Sequence, residues 1–288
     1  MSETESLTLS DVAETALAAL YIRALESRRP DTLIKDEKAV ELVKHLSSDA
    51  PIRYDFDRIR QVPGSEEYNT VRVLMSREID RYARDFLARR PEAVVVHIGC
   101  GLDSRFERVD NGRVEWYDLD LPEVIELRRK LVGGEGPRHH FVACSVLDGA
   151  WLDAVSAHRP RPFLFLAEVV FEYFTEEQAK SLVLTLRDRF PGAELIFDAC
   201  SPFDLWVGNL YLSRSKLSAR FRWGISNGQE IEGWGGASSA GESIRLLGEW
   251  GWLDQPEQRL ARFRRLRNIP FFAKMVRIYH FQLGRAAG

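Results

Sequence analysis

Apolar positions recur at helical spacing through the first ninety residues and then contract into short continuous runs. Val12, Ala16, Leu17, Leu20, Ile22 and Leu25 form one series, with Ser10 as the expected cap. A second series starts at Asp36 and puts Ala39, Val40, Leu42, Val43 and Leu46 on one face. A third runs from about Glu66 to Arg89 through Val71, Leu74, Ile79, Tyr82, Phe86 and Leu87. The residues before Ser10 read as disordered, and no strand signal precedes residue 92.

From Ala93 to Ile98 the chain is apolar except for His97, bounded by Pro91 and Gly99, as a strand buried on both faces reads. Similar runs span Val114 to Tyr117, His140 to Ala143, Phe163 to Ala167 and Leu195 to Ala199. Helical stretches separate them at Pro122 to Val132, Gly149 to Ala157 and Glu176 to Phe190. Alternation of this kind predicts βαβ units and a doubly wound parallel sheet. The rhythm breaks after Pro202, where residues 203 to 240 mix glycine, tryptophan and charge like an insertion or lid. Alternation returns in a strand from Met275 to Leu283.

Composition narrows the class. The 288 residues suit one large domain, and a net charge of −3 advertises no nucleic-acid partner. No apolar run reaches the roughly 18 residues that span a bilayer. The start, Met1-Ser2-Glu3-Thr4-Glu5, is unlike a secretory signal. Cys100, Cys144 and Cys200 sit in apolar settings without CxxC spacing, which suits a reducing compartment and argues against a zinc site or disulfides. A cytoplasmic protein without a metal is expected.

Gly99 and Gly101 directly follow the first strand, where a nucleotide-like ligand meets the backbone of such a sheet. About 20 residues on, Asp118 and Asp120 end the second strand, where an acid accepts hydrogen bonds from ribose hydroxyls. A dinucleotide site wants a third glycine at position 104, which is Ser here. Asp103, next to it, would repel a pyrophosphate and tolerate or bind a ligand carrying ammonium and sulfonium groups. The pattern therefore favours S-adenosylmethionine over NAD.

The segment Val95 to Arg105 (VVHIGCGLDSR), followed by Trp116 to Ile125 (WYDLDLPEVI), resembles the leucine carboxyl methyltransferase-like superfamily, and within it the bacterial polyketide O-methyltransferase branch. Ser145-Val146-Leu147-Asp148, Leu166 to Phe174 (LAEVVFEYF), Phe221 to Gly224 and Met275 to Arg277 add to the resemblance, which covers roughly residues 66 to 284. It implies a Rossmann-like class I methyltransferase fold, α/β, with a seven-stranded mostly parallel sheet, N-terminal helices and a lid insertion. The implied divisions are a helical cap over 1–90, a cofactor-binding core over 91–202, a lid over 203–243 and closing strands over 244–288.

The resemblance also implies roles. Gly99, Cys100 and Gly101 would line the methionine portion of S-adenosylmethionine, with Asp103 beside them. Asp120 would hold the ribose, with Leu121 adjoining. Ser145 and Val146 would flank the adenine. Glu168 would bond near the cofactor amino group or the acceptor, and Tyr173 would pack beside it. The family often places an arginine before the first strand to pair the cofactor carboxylate. That position is Met75 here, leaving Arg72 or Arg77, with Arg77 taken into the expected cofactor set.

A carboxylate acceptor needs no base, whereas a phenol with a pKa near 10 gains from one. His97 reads as a buried, hydrogen-bonded strand residue. His139 and His140 read as structural or solvated, and His158 as exposed, so no base stands out and a carboxyl acceptor is mildly favoured, although water or Glu168 could serve. Trp206, Tyr211, Phe221, Trp223 and Trp234 could wall a flat acceptor or simply bury the insertion. Between Arg259 and Arg285 lie eight Lys or Arg and no acid, which reads as a solvated face or an attractor of an acidic substrate. The expectation is an O-methyltransferase acting on a carboxyl or phenolic group of a polyketide-like small molecule, without a nucleic-acid or membrane partner. The alternatives are a protein C-terminal carboxyl methyltransferase, a non-catalytic binder of the cofactor and, more distantly, an NAD-linked reductase.

Overall fold

The computed structural model describes residues 11–48, 65–212, 220–235, 243–269, 272 and 274–285. Ser10 and the segment before it lie outside these residues.

Three helices come first: α1 (Asp11–Ser27), α2 (Glu37–Ser48) and α3 (Ser65–Arg89). Asp36 caps α2, its carboxylate accepting the Ala39 N–H at 2.9 Å. Strands and helices then alternate: β1 (Val94–Ile98), α4 (Arg105–Val109), β2 (Glu115–Asp120), α5 (Pro122–Leu131), β3 (His139–Ala143), α6 (Ala150–Ser156), β4 (Phe163–Ala167), α7 (Glu176–Arg189) and β5 (Ala193–Ala199). After α8 (Pro202–Leu212) and the short α9 (Gln229–Glu232), β6 (Ile244–Gly251) and β7 (Arg277–Leu283) close the sheet.

The seven strands lie in the order β3-β2-β1-β4-β5-β7-β6. Neighbours among β1 to β5 are parallel, and β7 runs antiparallel to β5 and β6. This is the class I methyltransferase architecture expected from the sequence. The second strand ends at Asp120, as expected. One detail differs. The strand β6 reads poorly because it is an edge strand with a bulge between Leu246 and Gly248 and exposed Arg245, Leu247 and Glu249.

Both faces of β1 are covered, which is why it reads as continuously apolar. Val94, Val96 and Ile98 pack with Trp151, Phe165, Leu182 and Phe197. Val95 turns the other way, toward Leu74, Phe86, Trp116 and Trp250. A third cluster joins Leu17, Leu20, Leu42 and Val43 to Leu102 and Leu127. The N-terminal helices thus pack directly against the turn that follows β1.

Candidate functional site

The turn after β1 is built on two left-handed glycines, Gly99 at φ +65° and Gly101 at φ +51°. A Cβ on Gly99 would come within 2.3 Å of Val170 Cγ2, and one on Gly101 within 3.3 Å of Ala16 Cβ in α1. The Asp120 carboxylate closes the turn. One oxygen accepts the Gly101 N–H at 2.7 Å, and the other accepts the Leu121 N–H at 2.8 Å. Each oxygen keeps lone-pair capacity for a further donor. Burial pushes Asp120 up to about 6, held back by those two N–H bonds.

Three further N–H groups of the turn are also occupied. Gly99 donates to Leu119 O at 2.8 Å, Cys100 to the same oxygen at 3.3 Å, and Asp103 to Cys100 O at 3.0 Å. A pyrophosphate site needs free N–H groups at a helix start. This turn offers close approach and an acid, and the helix after it has only five residues. That donor set fits S-adenosylmethionine, whose ribose brings hydroxyl donors and whose methionine end is cationic at sulfur and nitrogen.

The expected reason for this preference, a free Asp103, is corrected. Asp103 is buried, with Arg108 at 2.8 Å, Arg105 at 3.2 Å and Arg23 at 3.6 Å. Burial opposes its charge, but Arg108, Arg23 and Arg105 outweigh that and hold its pKa well below the usual carboxylate range. Its carboxylate belongs to a buried ionic network that includes Asp36 and Asp80. Arg128 from α5 works on the same loop, donating to Gly101 O at 3.1 Å and Asp103 O at 2.7 Å. Arg23 of α1 donates to Leu102 O at 3.1 Å. The sequence reading overlooked Arg23, Arg105 and Arg128, because a basic residue on an amphipathic helix reads as solvated.

Arg77 is also corrected. It lies five positions after Arg72 on α3, about 140° further round the helix. It lines a cleft with Glu78, Arg81, Arg84, Trp250 and Gln255, away from the glycine turn. Arg72 faces the site instead, 3.4 Å from Glu168 and 3.5 Å from Asp198. Met75 is fully buried among apolar residues.

Beyond β4, Glu168 pairs with Arg105 at 2.5 Å. Val169 follows at φ +58°, a strained setting for a β-branched residue, and its N–H donates to Asp198 at 2.7 Å. Tyr173 sits in a 3-10 turn (Phe171–Tyr173) with its ring 5.3 Å from that of Phe221. Burial, then Glu172, push its hydroxyl pKa up. Ser145 Oγ accepts the Leu147 N–H at 3.2 Å, and Val146 O accepts the Trp151 indole N–H at 2.9 Å, which shapes the segment after β3. Cys100 is buried, which pushes its thiol up.

The insertion's aromatics divide. Trp223 belongs to the core, 5.5 Å from Trp234, while Trp206 is 61% exposed. The Tyr211 side chain lies outside the described residues. His97 is buried against Arg105 and Asp118, as expected. His158 is half-buried and bonded to Tyr117 Oη at 2.6 Å rather than exposed. The basic stretch begins in a 3-10 segment (Gln258–Asn268) and runs on into β7, and several of its arginines are ion-paired: Arg259 with Glu26 and Glu257, Arg262 with Glu67, Arg277 with Glu249 and Asp254. No helix among the described residues is long and apolar enough to cross a membrane.

Comparison with known proteins agrees with this geometry. The sequence profile of the leucine carboxyl methyltransferase family matches residues 16–187. The tetracenomycin polyketide synthesis O-methyltransferase TcmP of Streptomyces glaucescens is 36% identical, over 88% of this chain and 87% of its own. The S-adenosylmethionine-dependent methyltransferase dpfgK of Gibberella zeae is 27% identical, over 86% and 88%. A crystal structure of a DUF574 family protein from Streptomyces avermitilis superposes with a TM-score of 0.52 at 14% identity, covering 93% of this chain and 96% of that one, and shares the fold. The chain belongs to the leucine carboxyl methyltransferase family and is an S-adenosylmethionine-dependent O-methyltransferase.

Proposed function

We propose that this enzyme methylates an oxygen of a polyketide-like small molecule in the cytoplasm. The observation that carries the acceptor class is the extended likeness to TcmP, which spans nearly the full length of both chains. The packing of Phe221 against Tyr173 beside the post-β4 segment supports it, since adjoining aromatic rings can wall a flat acceptor.

S-adenosylmethionine, when bound, supplies the methyl group on a good leaving group, so the chain's task is positioning and desolvation. Gly99, Cys100 and Gly101 let the ligand approach the backbone. Asp120 accepts the ribose hydroxyls while its own geometry is fixed by the Gly101 and Leu121 N–H groups. Leu121, Ser145 and Val146 flank the adenine side. Glu168, held by Arg105, presents negative charge beside the methionine end. The half-buried Tyr173 stays neutral and orients the acceptor. Asp103 acts only through the loop, and Arg77 has no part in the site.

The test is product analysis. Incubation with methyl-labelled S-adenosylmethionine and a panel of aromatic hydroxyl and carboxyl compounds, with a leucine-terminated peptide as control, should label the small molecules. Label on the peptide alone would overturn the reading.

A further inference from the structure

The helix α3 runs antiparallel to the parallel strands. Arg89 in its last turn pairs with Glu194 near the start of β5 at 3.0 Å, and Arg72 lies 3.5 Å from Asp198 near the end of that strand. One face of α3 is spent in order along its length. Ser76 Oγ accepts from Arg105 at 3.1 Å, and Arg72 faces Glu168 and Asp198. Asn69 comes next on that face, about 20° from Ser76 around the axis and about 60° from Arg72. It stands about 4.5 Å further out along the axis than Arg72, beyond the carboxyl ends of the strands, where open α/β sheets take their ligands.

Unlike Ser76 and Arg72, Asn69 has an atom left over. Its Oδ1 is buried and has no hydrogen-bond partner. An unmet buried acceptor costs stability, and native folds keep few of them. Thr70 beside it is satisfied within the helix, donating to Glu66 O at 2.7 Å. Tyr68 on its other side is 62% exposed, yet it bears electrostatically on both Arg72 and Tyr173. Asn69 therefore stands where the acceptor side of the site meets open surface.

The missing partner is a donor. A cationic donor finds better partners in Glu168 and Asp198 a turn further in, whereas a neutral O–H suits an amide oxygen. We propose that Asn69 binds the acceptor through a non-reacting hydroxyl, one that keeps its proton while another oxygen takes the methyl group. The acceptor is then hydroxylated at a second position, whether the methylated oxygen belongs to a carboxyl or to a phenol. Asn69 sets specificity and moves no proton. The inference rests on the small-molecule reading above.

The full-length enzyme is assayed with naphthoic acid, naphthol and the monohydroxylated isomers of each, and the methylated oxygen is read from the product. In the wild type, the preferred isomer should exceed its parent in kcat/KM by about tenfold. Asn69→Leu should bring that ratio within about twofold by raising KM for the hydroxylated isomer, and should hold the S-adenosylhomocysteine Kd within about twofold. Its thermal midpoint should match or exceed that of the wild type, because an apolar side chain of similar size removes the unmet acceptor. No gain from any added hydroxyl in the wild type, or a gain kept by Asn69→Leu, overturns the inference and leaves small-molecule methylation standing. So does a roughly tenfold weaker S-adenosylhomocysteine Kd, which would give Asn69 to the cofactor, or a midpoint lowered by more than about 4 °C, which would make it structural. No methylation of any of these compounds overturns both readings.

Discussion

Asp120 accepts the main-chain N–H of Gly101 at 2.7 Å, so the acid that ends β2 and the turn that follows β1 form one unit. Replacing it removes the ribose acceptor and strands the N–H groups of Gly101 and Leu121. Asp120→Ala should weaken S-adenosylhomocysteine binding by about 1.5–3 kcal/mol, as for a hydrogen bond to a charged group. Isothermal titration measures it, and an unchanged Kd would hand the role to another acid.

The raised pKa of Asp120 gives two pH effects of opposite sign. Its folded value, about 6, lies above the ordinary value of 3.8. The ligand-free protein therefore gains stability from this group as pH falls through 6, and holds the full gain below 3.8. Ribose hydroxyls need the ionised form, so cofactor affinity should fall over the same window, by roughly tenfold between pH 6.5 and 5. Titrations across that range should show the fall in wild type and not in Asp120→Asn.

Much of this was legible in the chain. The runs Val94–Ile98 and Phe163–Ala167 coincide with strands because both faces are buried, and Gly99, Gly101 and Asp120 converge because sheet order fixes where the first two strands end. What stayed hidden depends on tertiary partners. Asp103 reads as a free acid until Arg23 and Arg108 arrive from other parts of the chain. Glu172 and Asp198 did carry a signal, since each interrupts an otherwise apolar run. It gains meaning only once Arg72 is seen between β4 and β5.

Arg72 and Arg77 share a helix and face different surroundings. Arg77→Ala should leave the S-adenosylhomocysteine Kd within about twofold, because the side chain faces the Trp250 cleft. Arg72→Gln removes the cation beside Asp198 and Glu172, while Glu168 keeps Arg105. Stability should drop by about 3–5 kcal/mol, the range for removing one partner of a buried pair. The Glu172 carboxyl should hold its proton to higher pH, because the cation that opposes its protonation is gone. A denaturant titration and a pH profile read the two effects.

Asp103→Asn tests whether that acid serves the fold or the ligand. Its three arginine neighbours would lose their counter-charge in a buried setting, so a loss of about 3–5 kcal/mol is expected in urea. The isosteric amide keeps the loop's shape, and the cofactor Kd measured on the folded fraction should stay within about threefold. A tenfold or larger loss of affinity with unchanged stability would restore Asp103 to direct ligand contact.

Gly99 and Val170 couple the two halves of the site. An alanine at 99 brings its Cβ to 2.3 Å from Val170 Cγ2, in a backbone at φ +65°. Gly99→Ala therefore carries a steric cost and a left-handed cost, the latter about 1–2 kcal/mol. Val170→Ala removes the clashing methyl and leaves the backbone cost. The double variant should recover stability relative to Gly99→Ala alone, with a coupling energy of about 0.5–3 kcal/mol. Additive losses in a double-mutant cycle would mean that the post-β4 segment moves aside freely and that the close approach of Gly99 to Val170 does not fix the turn.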